Sequence, residues 1–279
     1  MDGKGPTLVA EIGCVHGGSL DRAIDLIRLA SESGAHAVKS QKRNPHLCVP
    51  EEVKNEPHPN PRFAFGSTYL EHRVALELSV ESHMAMACEC RRLGMHYGCS
   101  VWDMDSLKEM VHVQPEFVKI PSACCLDNAM IEEALRLGFS VHISNGMTTH
   151  DQRERMYSML NDRRSRVVVY HTTTEYPCPF ARLYLKEVER IRSMGFTTGF
   201  SNHGYGIAAD IAAMAMGATW IERHFVDDRT YPHTDAAASL EPSGLKTLRR
   251  DLDNVWQALR KRPDFMTEEE ARQARKLRK

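Results

Sequence analysis

Short apolar runs alternate with longer amphipathic ones along nearly all of this 279-residue chain. Residues 7–12 read as a buried strand. Residues 20–33 follow with Ala23, Ile24, Ile27 and Ala30 at helical spacing, and Gly34 stands where a C-terminal cap belongs. The same couple then recurs. Further strands are predicted at 35–41, 95–100, 117–120, 140–144, 166–171, 196–200 and 218–221. Helices are predicted at 80–93, 103–111 with Asp103 as N-cap, 128–137, 150–160, 183–194, 207–216 and 242–259. Such alternation implies a parallel sheet. Eight strand–helix units in about 260 residues suit a (β/α)8 TIM barrel better than an open doubly wound sheet. One α/β domain over 1–262 is therefore expected, followed by a charged helical tail at 263–279. Residues 42–79 interrupt the pattern, with prolines at 45, 50, 57, 59 and 61. An insertion of that length is either a lid or binding loop, or disordered; Phe63, Phe65 and Tyr69 favour a packed segment.

The net charge of −1 argues against a surface for nucleic acid or another polyanion. No apolar run approaches the roughly 18–20 residues of a membrane span, and Met1 is followed by Asp2-Gly3-Lys4 rather than by a signal peptide. A cytoplasmic protein with no membrane partner is expected. None of the eight cysteines forms Cys-x-x-Cys, which gives a structural zinc site little support and suits reduced, mostly buried thiols.

A barrel of this kind carries its chemistry at the C-terminal ends of its strands. The polar residues gather there: Glu11, Lys39, Gln41, Ser100, Lys119, Ser122, Ser144, Thr172, Thr174, Ser201, His203 and His224. His203 and His224 end consecutive parallel strands, so their imidazoles share one rim and could hold a divalent metal. Lys39 and Lys119 stand in otherwise apolar strands. A buried ammonium needs an anion, which an internal carboxylate or a bound phosphate or carboxylate could provide. The serines and threonines beside them favour a bound anion.

At these residues the chain resembles the N-acetylneuraminate (sialic acid) synthase family. The motifs are Ala-Glu-Ile-Gly-x-x-His-x-Gly at 10–18, Ala-x-Ala-Val-Lys-x-Gln at 35–41, and Tyr69-x-x-His72-Arg73 with Leu76-Glu77. Val118-Lys119-Ile120-x-Ser122 and Ser144-x-Gly146-Met147 continue the series. Tyr176-Pro177-x-Pro179, Ser201-x-His203, Glu222-Arg223-His224-Phe225 and Asp235 leading to Ala238-Ser239-Leu240-Glu241-Pro242 complete it. The resemblance implies a carbon–carbon bond-forming transferase of carbohydrate biosynthesis. Its partners are phosphoenolpyruvate and an open-chain sugar aldehyde, its products a 2-keto-3-deoxy acid and phosphate, and its cofactor a divalent cation, Mn2+ or Mg2+. It implies that His203 and His224 hold the metal, and that Lys39, Lys119, Ser100, Ser122, Ser144 and Ser201 surround phosphoenolpyruvate. Glu11 falls on an active-site carboxylate. Gln41, Tyr176 and Asp235 fall on positions facing the acceptor or water, and Arg73 either contacts substrate or pairs with Glu71 or Glu77. A homodimer is also implied.

Three departures concern the acceptor side. Cys124 stands where the family has an acidic residue that touches the acceptor sugar. Thr172 and Thr174 replace Cys and Asn, although a hydroxyl such as that of Thr174 can still bond a phosphate oxygen. The residues end soon after the barrel pattern, so the chain is expected to lack the C-terminal antifreeze-like domain that lends an arginine to a partner's site. N-acetylmannosamine is accordingly not the expected acceptor; a modified sugar or a nucleoside aldehyde is. A metal-dependent aldolase or lyase on the same barrel, or a non-catalytic sugar-acid-binding barrel, are the alternative readings.

Overall fold

Eight parallel strands close on themselves in sequence order: β1 (Thr7–Gly13), β2 (Ala37–Lys42), β3 (His96–Val101), β4 (Phe117–Ile120), β5 (Val141–Ser144), β6 (Val167–His171), β7 (Thr197–Asn202) and β8 (Trp220–His224). β8 pairs back onto β1, so the sheet has no free edge. The expected TIM barrel is what the chain forms. The computed structural model describes residues 5–231 and 233–279; residues 1–4, read above for targeting, lie outside the described residues.

Each strand is largely buried on both faces because helices cover the outside and side chains fill the lumen. Leu8, Ala10 and Ile12 of β1 point outward into one continuous core with Ala23, Leu26, Ile27 and Ala30 of the helix Leu20–Glu32. Ser19, Ser79, Asp103 and Thr149 cap the helices that follow them by accepting from backbone amides, which fixes where each begins. The lumen is plugged by aromatic rings. Phe117 stacks on His142 at 4.1 Å and meets the edge of Trp220 at 5.6 Å, while His142 shares a 3.1 Å hydrogen bond with the Tyr170 hydroxyl. Gly98 on β3 makes room for this plug, since a Cβ there would lie 2.2 Å from the Phe117 ring. The plug is the floor on which the polar strand ends stand.

The strand and helix reading holds with shifted ends. β7 and β8 run on to Asn202 and His224, so Ser201 and His224 belong to the strands and His203 follows β7 directly. The helix expected from 183 begins only at Lys186, because Phe180–Arg182 makes a 3-10 turn and Tyr184 takes a left-handed φ of 47°. The 42–79 connection is folded. It carries helices Pro45–Cys48 and Tyr69–Ala75, the second started by a capping box between Thr68 and Glu71. Arg43 and Asn44 anchor its start by donating backbone N–H bonds to Glu77 and Asp103. Near the C-terminus, Glu268–Leu277 is a helix with no buried residue. Among the described residues no helix is long and apolar enough to cross a membrane, and all eight cysteines are free.

Candidate active site

Strand register decides which side chains meet. Glu11 lies opposite Lys39 on one side and His224 on the other. Gln41 lies opposite Ser100, Ser100 opposite Lys119, and Ser201 opposite Glu222. Alternation turns Glu222 and His224 into the barrel and Arg223 outward, where Arg223 forms a buried ion pair with Asp210 at 2.8 Å.

The inward residues enclose a chamber of about 90 Å³ at the C-terminal ends of the strands. Glu11, Lys39, Gln41 and Ser100 line it from β1 to β3. Lys119, Ser122 and Ser144 continue the wall, and Thr172, Thr174, Tyr176, Ser201, His203 and His224 complete it. Lys39 ion-pairs with Glu11 and donates to the Ser100 hydroxyl at 2.7 Å, with Glu222 3.9 Å away. Lys119 donates to Glu222 at 3.1 Å and rests over the Tyr170 ring at 3.5 Å. Ser201 donates to the other Glu222 oxygen at 3.0 Å. Both lysines therefore have protein carboxylates, so of the two sources of an anion left open by the sequence the internal ion pairs are present. Glu222 went unassigned in the sequence. Its alternation with His224 on one strand face was the signal that could have found it.

Burial shapes the ionisation of these groups. It raises Glu11 above the usual carboxylate value even though Lys39 opposes it. Burial also disfavours an ionised Glu222, but Lys119 and Lys39 outweigh it and hold that carboxylate well below its ordinary value. Lys119 is brought down to about 8, by burial first and then by the Lys39 charge.

Opposite the lysines is a hydroxyl cradle. The Thr172 and Thr174 hydroxyls are buried without partners. Gly146 lies where the Thr174 and Ser122 hydroxyls converge beside the Thr172 methyl: a Cβ there would stand 2.5 Å from Thr174 Oγ1 and 2.6 Å from Ser122 Oγ. Unsatisfied donors around a space that only a glycine leaves open fit a bound oxyanion.

His203 and His224 come together as expected, with ring centroids 5.4 Å apart. His203 Nδ1 lies 3.0 Å from the Thr173 carbonyl, which as the partner of a protonated Nδ1 leaves Nε2 with a bare lone pair. Burial, and then the neighbouring His224, lower the His203 pKa to about 3, so it is neutral. His224 Nδ1 is buried without a hydrogen-bond partner, with Asp235 Oδ2 3.8 Å away. Tyr176 stacks on His203 at 4.0 Å. The bare Nε2 of His203 and the unpartnered Nδ1 of His224 fit a divalent cation. Among the described residues no three His, Cys, Asp or Glu side chains converge to hold a metal, so a cation here would rest on two imidazoles and on the substrates.

A second, wider chamber of about 280 Å³ opens above the first and shares Gln41, Trp102, Thr174, Tyr176 and His224 with it. The folded connection walls it with Phe63, Phe65, Tyr69 and Arg73, and the segment after β8 adds Tyr231 and Asp235. Arg73 pairs with neither Glu71 nor Glu77, because Glu71 serves the capping box and Glu77 faces Arg43 and Lys42. Cys124, expected to face the acceptor, lines neither chamber; its thiol donates to the Trp102 carbonyl at 3.4 Å, and Ala123 lines the wall instead. His16 is buried and accepts from the Gly18 amide at 3.1 Å, which holds its turn. Arg43 and Trp102 were missed. Arg43 continues the Lys39, Gln41 alternation two residues further.

A sequence profile of the NeuB family matches residues 26–263. The chain is 28% identical over 260 residues to N,N'-diacetyllegionaminic acid synthase of Campylobacter jejuni, covering 92% of this chain and 78% of that protein. It is 29% identical over 262 residues to the mouse N-acetylneuraminate-9-phosphate synthase, covering 93% and 73%. In fold it matches the crystal structure of the N-acetylneuraminic acid synthetase of Leptospira borgpetersenii, solved with citrate. That match has a TM-score of 0.84 and 23% identity, over 99% of this chain and 93% of that one.

Proposed function

The chain belongs to the NeuB family of phosphoenolpyruvate-dependent sugar-acid synthases, and on that premise we propose that it condenses phosphoenolpyruvate with an aldehyde acceptor other than N-acetylmannosamine. The observation that carries the reading is the inner chamber, where two lysines, an unsatisfied hydroxyl cradle and the imidazoles of His203 and His224 face one space.

In this reading Lys39 and Lys119 bind the phosphate and carboxylate of phosphoenolpyruvate. Ser100, Ser122, Ser144, Ser201 and Thr174 surround those oxygens with hydroxyl groups. The donor's enol carbon attacks the acceptor carbonyl carbon, a water oxygen joins the former enol carbon, and the carbon–oxygen bond to phosphate breaks. Phosphoenolpyruvate, aldehyde and water thus become a 2-keto-3-deoxy acid and inorganic phosphate. Glu11 takes the proton from the water at its carboxylate; burial raises its pKa, which makes it a better proton acceptor. Gln41, which donates to Glu11 at 2.9 Å, orients that carboxylate. Tyr176 and Asp235 face the acceptor.

His203 and His224 would hold a divalent cation, Mn2+ or Mg2+, which supplies Lewis-acid polarisation of the acceptor carbonyl. Charge balance supports the requirement. Lys39 and Lys119 are matched by Glu11 and Glu222, so the chamber is near neutral before a nearly trianionic donor enters. The acceptor reading rests on Cys124, whose side chain turns away to Trp102. Phosphate release should be measured with phosphoenolpyruvate and Mn2+ across an aldehyde panel, with mass analysis of the product. The expected result is acceptor-dependent phosphate release with a product equal to acceptor plus a pyruvate unit. Pyruvate formation instead, or efficient N-acetylneuraminate formation, would contradict the proposal.

A further inference from the structure

The outer chamber holds a charge that its own walls do not satisfy. Arg73 makes no ion pair among the described residues; its one hydrogen bond runs from Nη2 to the Cys14 thiol at 3.6 Å, and its buried Nε has no partner. A thiol is a weak acceptor for a guanidinium. Arg43 lines the same chamber and stacks on Trp102 at 3.8 Å. Its Nη2 donates to Gln41, and its Nε lies 3.6 Å from Glu77 without forming a hydrogen bond. Lys42 also draws on Glu77, at 4.0 Å, and on Glu109 at 3.4 Å. At this end Lys42, Arg43 and Arg73 therefore face Glu77 and Glu109, three positive charges against two. The Arg43 guanidinium is pushed below its usual value, by burial first and then by Arg73, so the two cations are close enough to repel.

Two half-buried guanidiniums with unused N–H groups are costly unless an anion reaches them. The one carboxylate among the chamber's wall residues, Asp235, lies 3.8 Å from His224, beside the reacting centre. The chamber runs from His224 and Tyr176 to Arg73, so a single acceptor can span both.

We propose that Arg43 and Arg73 form an anion subsite for the acceptor, so that the preferred substrate is an aldehyde bearing a phosphate monoester or carboxylate at the end remote from its carbonyl. The inference rests on the condensation proposed above. It differs from it in naming the acceptor's charge and the two residues that read it. Arg73 supplies an unpartnered Nε–H, and Arg43, held over the Trp102 ring, supplies another. Phosphate and carboxylate both match a guanidinium fork, and phosphate offers more oxygens to two of them.

The test uses matched acceptors in three arms: a neutral aldose, its terminal phosphate, and the corresponding uronic acid, each with phosphoenolpyruvate and Mn2+. The expected result is a kcat/KM at least about 10-fold higher for an anionic acceptor than for its neutral counterpart, the phosphate and uronate arms showing which anion is read. In Arg73→Met that preference should collapse by about 10- to 100-fold, and Arg73→Lys should restore part of it. Equal or better turnover of the neutral aldose, or an unchanged preference in Arg73→Met, would overturn the subsite. Calorimetric titration of the same three compounds into the full chain reads the subsite without turnover. Anion-selective binding that Arg73→Met abolishes sustains it even if no condensation occurs, a result that would count against the proposed reaction alone. Binding without anion selectivity, or no binding of any of the three, would also reject the subsite.

Discussion

The inner chamber is built from strand ends and the outer from connections, and they differ in how far their charges are settled. In the inner chamber each lysine meets a glutamate, and register fixes the strand positions: Glu11 opposite Lys39, Ser100 opposite Lys119, Ser201 opposite Glu222. In the outer chamber Arg73 has only a thiol, and most of the walls come from the 42–79 connection and the segment after β8. A rim held by a closed sheet constrains its side chains strongly, whereas a wall of connections can change its residues without disturbing the barrel. We therefore propose that the phosphoenolpyruvate chemistry belongs to the first and acceptor choice to the second.

Substitutions that damage the two chambers differently sharpen this contrast. The largest effect is expected from His203→Ala or His224→Ala, with a loss of phosphate release on the order of 10³-fold or more together with loss of bound Mn2+. Metal content and turnover that both stay unchanged would remove the two histidines from the reaction. Next comes Lys119→Met, for which the affinity for phosphoenolpyruvate should fall about 10- to 100-fold. The same change leaves Glu222 buried with the Ser201 hydroxyl and with Lys39, 3.9 Å away, as its one remaining cation, so unfolding in urea should also show a loss of about 3–5 kcal/mol. A variant of undiminished stability would mean that Glu222 is hydrated or protonated.

Gly146→Ala tests the hydroxyl cradle. Its Cβ would displace Thr174 and Ser122, raising the KM for phosphoenolpyruvate about 10-fold and lowering stability by about 1–3 kcal/mol. An unchanged KM would place the phosphate elsewhere. The smallest effect is a pH dependence. Lys119 is charged below about 8 and loses its proton as pH rises through that value, while Glu222 and Glu11 favour the charged form and burial and Lys39 oppose it. Donor binding should therefore weaken by up to about tenfold between pH 7 and 9. A profile in Lys119→Met as steep as in the unaltered chain would assign the titration to another group.

The barrel was legible because its strands and helices follow local rules. Phe117–Ile120 and His150–Leu160 occur where periodicity puts them, and Asp103 caps its helix as its chemistry requires. The inner rim was legible too, since a polar residue at the end of a buried strand has few other reasons to be there. What the sequence hid was pairing across distance. Nothing local says that Lys119 meets Glu222, more than a hundred residues away, because only barrel closure joins them. Cys124 was misplaced for a related reason: a 3-10 turn at Ser122–Cys124 turns its thiol to Trp102, and a motif position does not encode that rotation. Arg43 was hidden because it follows β2, where strand alternation is no longer assumed.

Calorimetric titration of phosphoenolpyruvate with Mn2+, in the absence of any acceptor, tests the division of the site most directly. Binding should be weakened about 10-fold or more by Lys39→Met, Lys119→Met and Gly146→Ala, and by less than about threefold by Arg73→Met. Equal weakening by inner and outer substitutions, or no binding by the unaltered chain, would contradict the division.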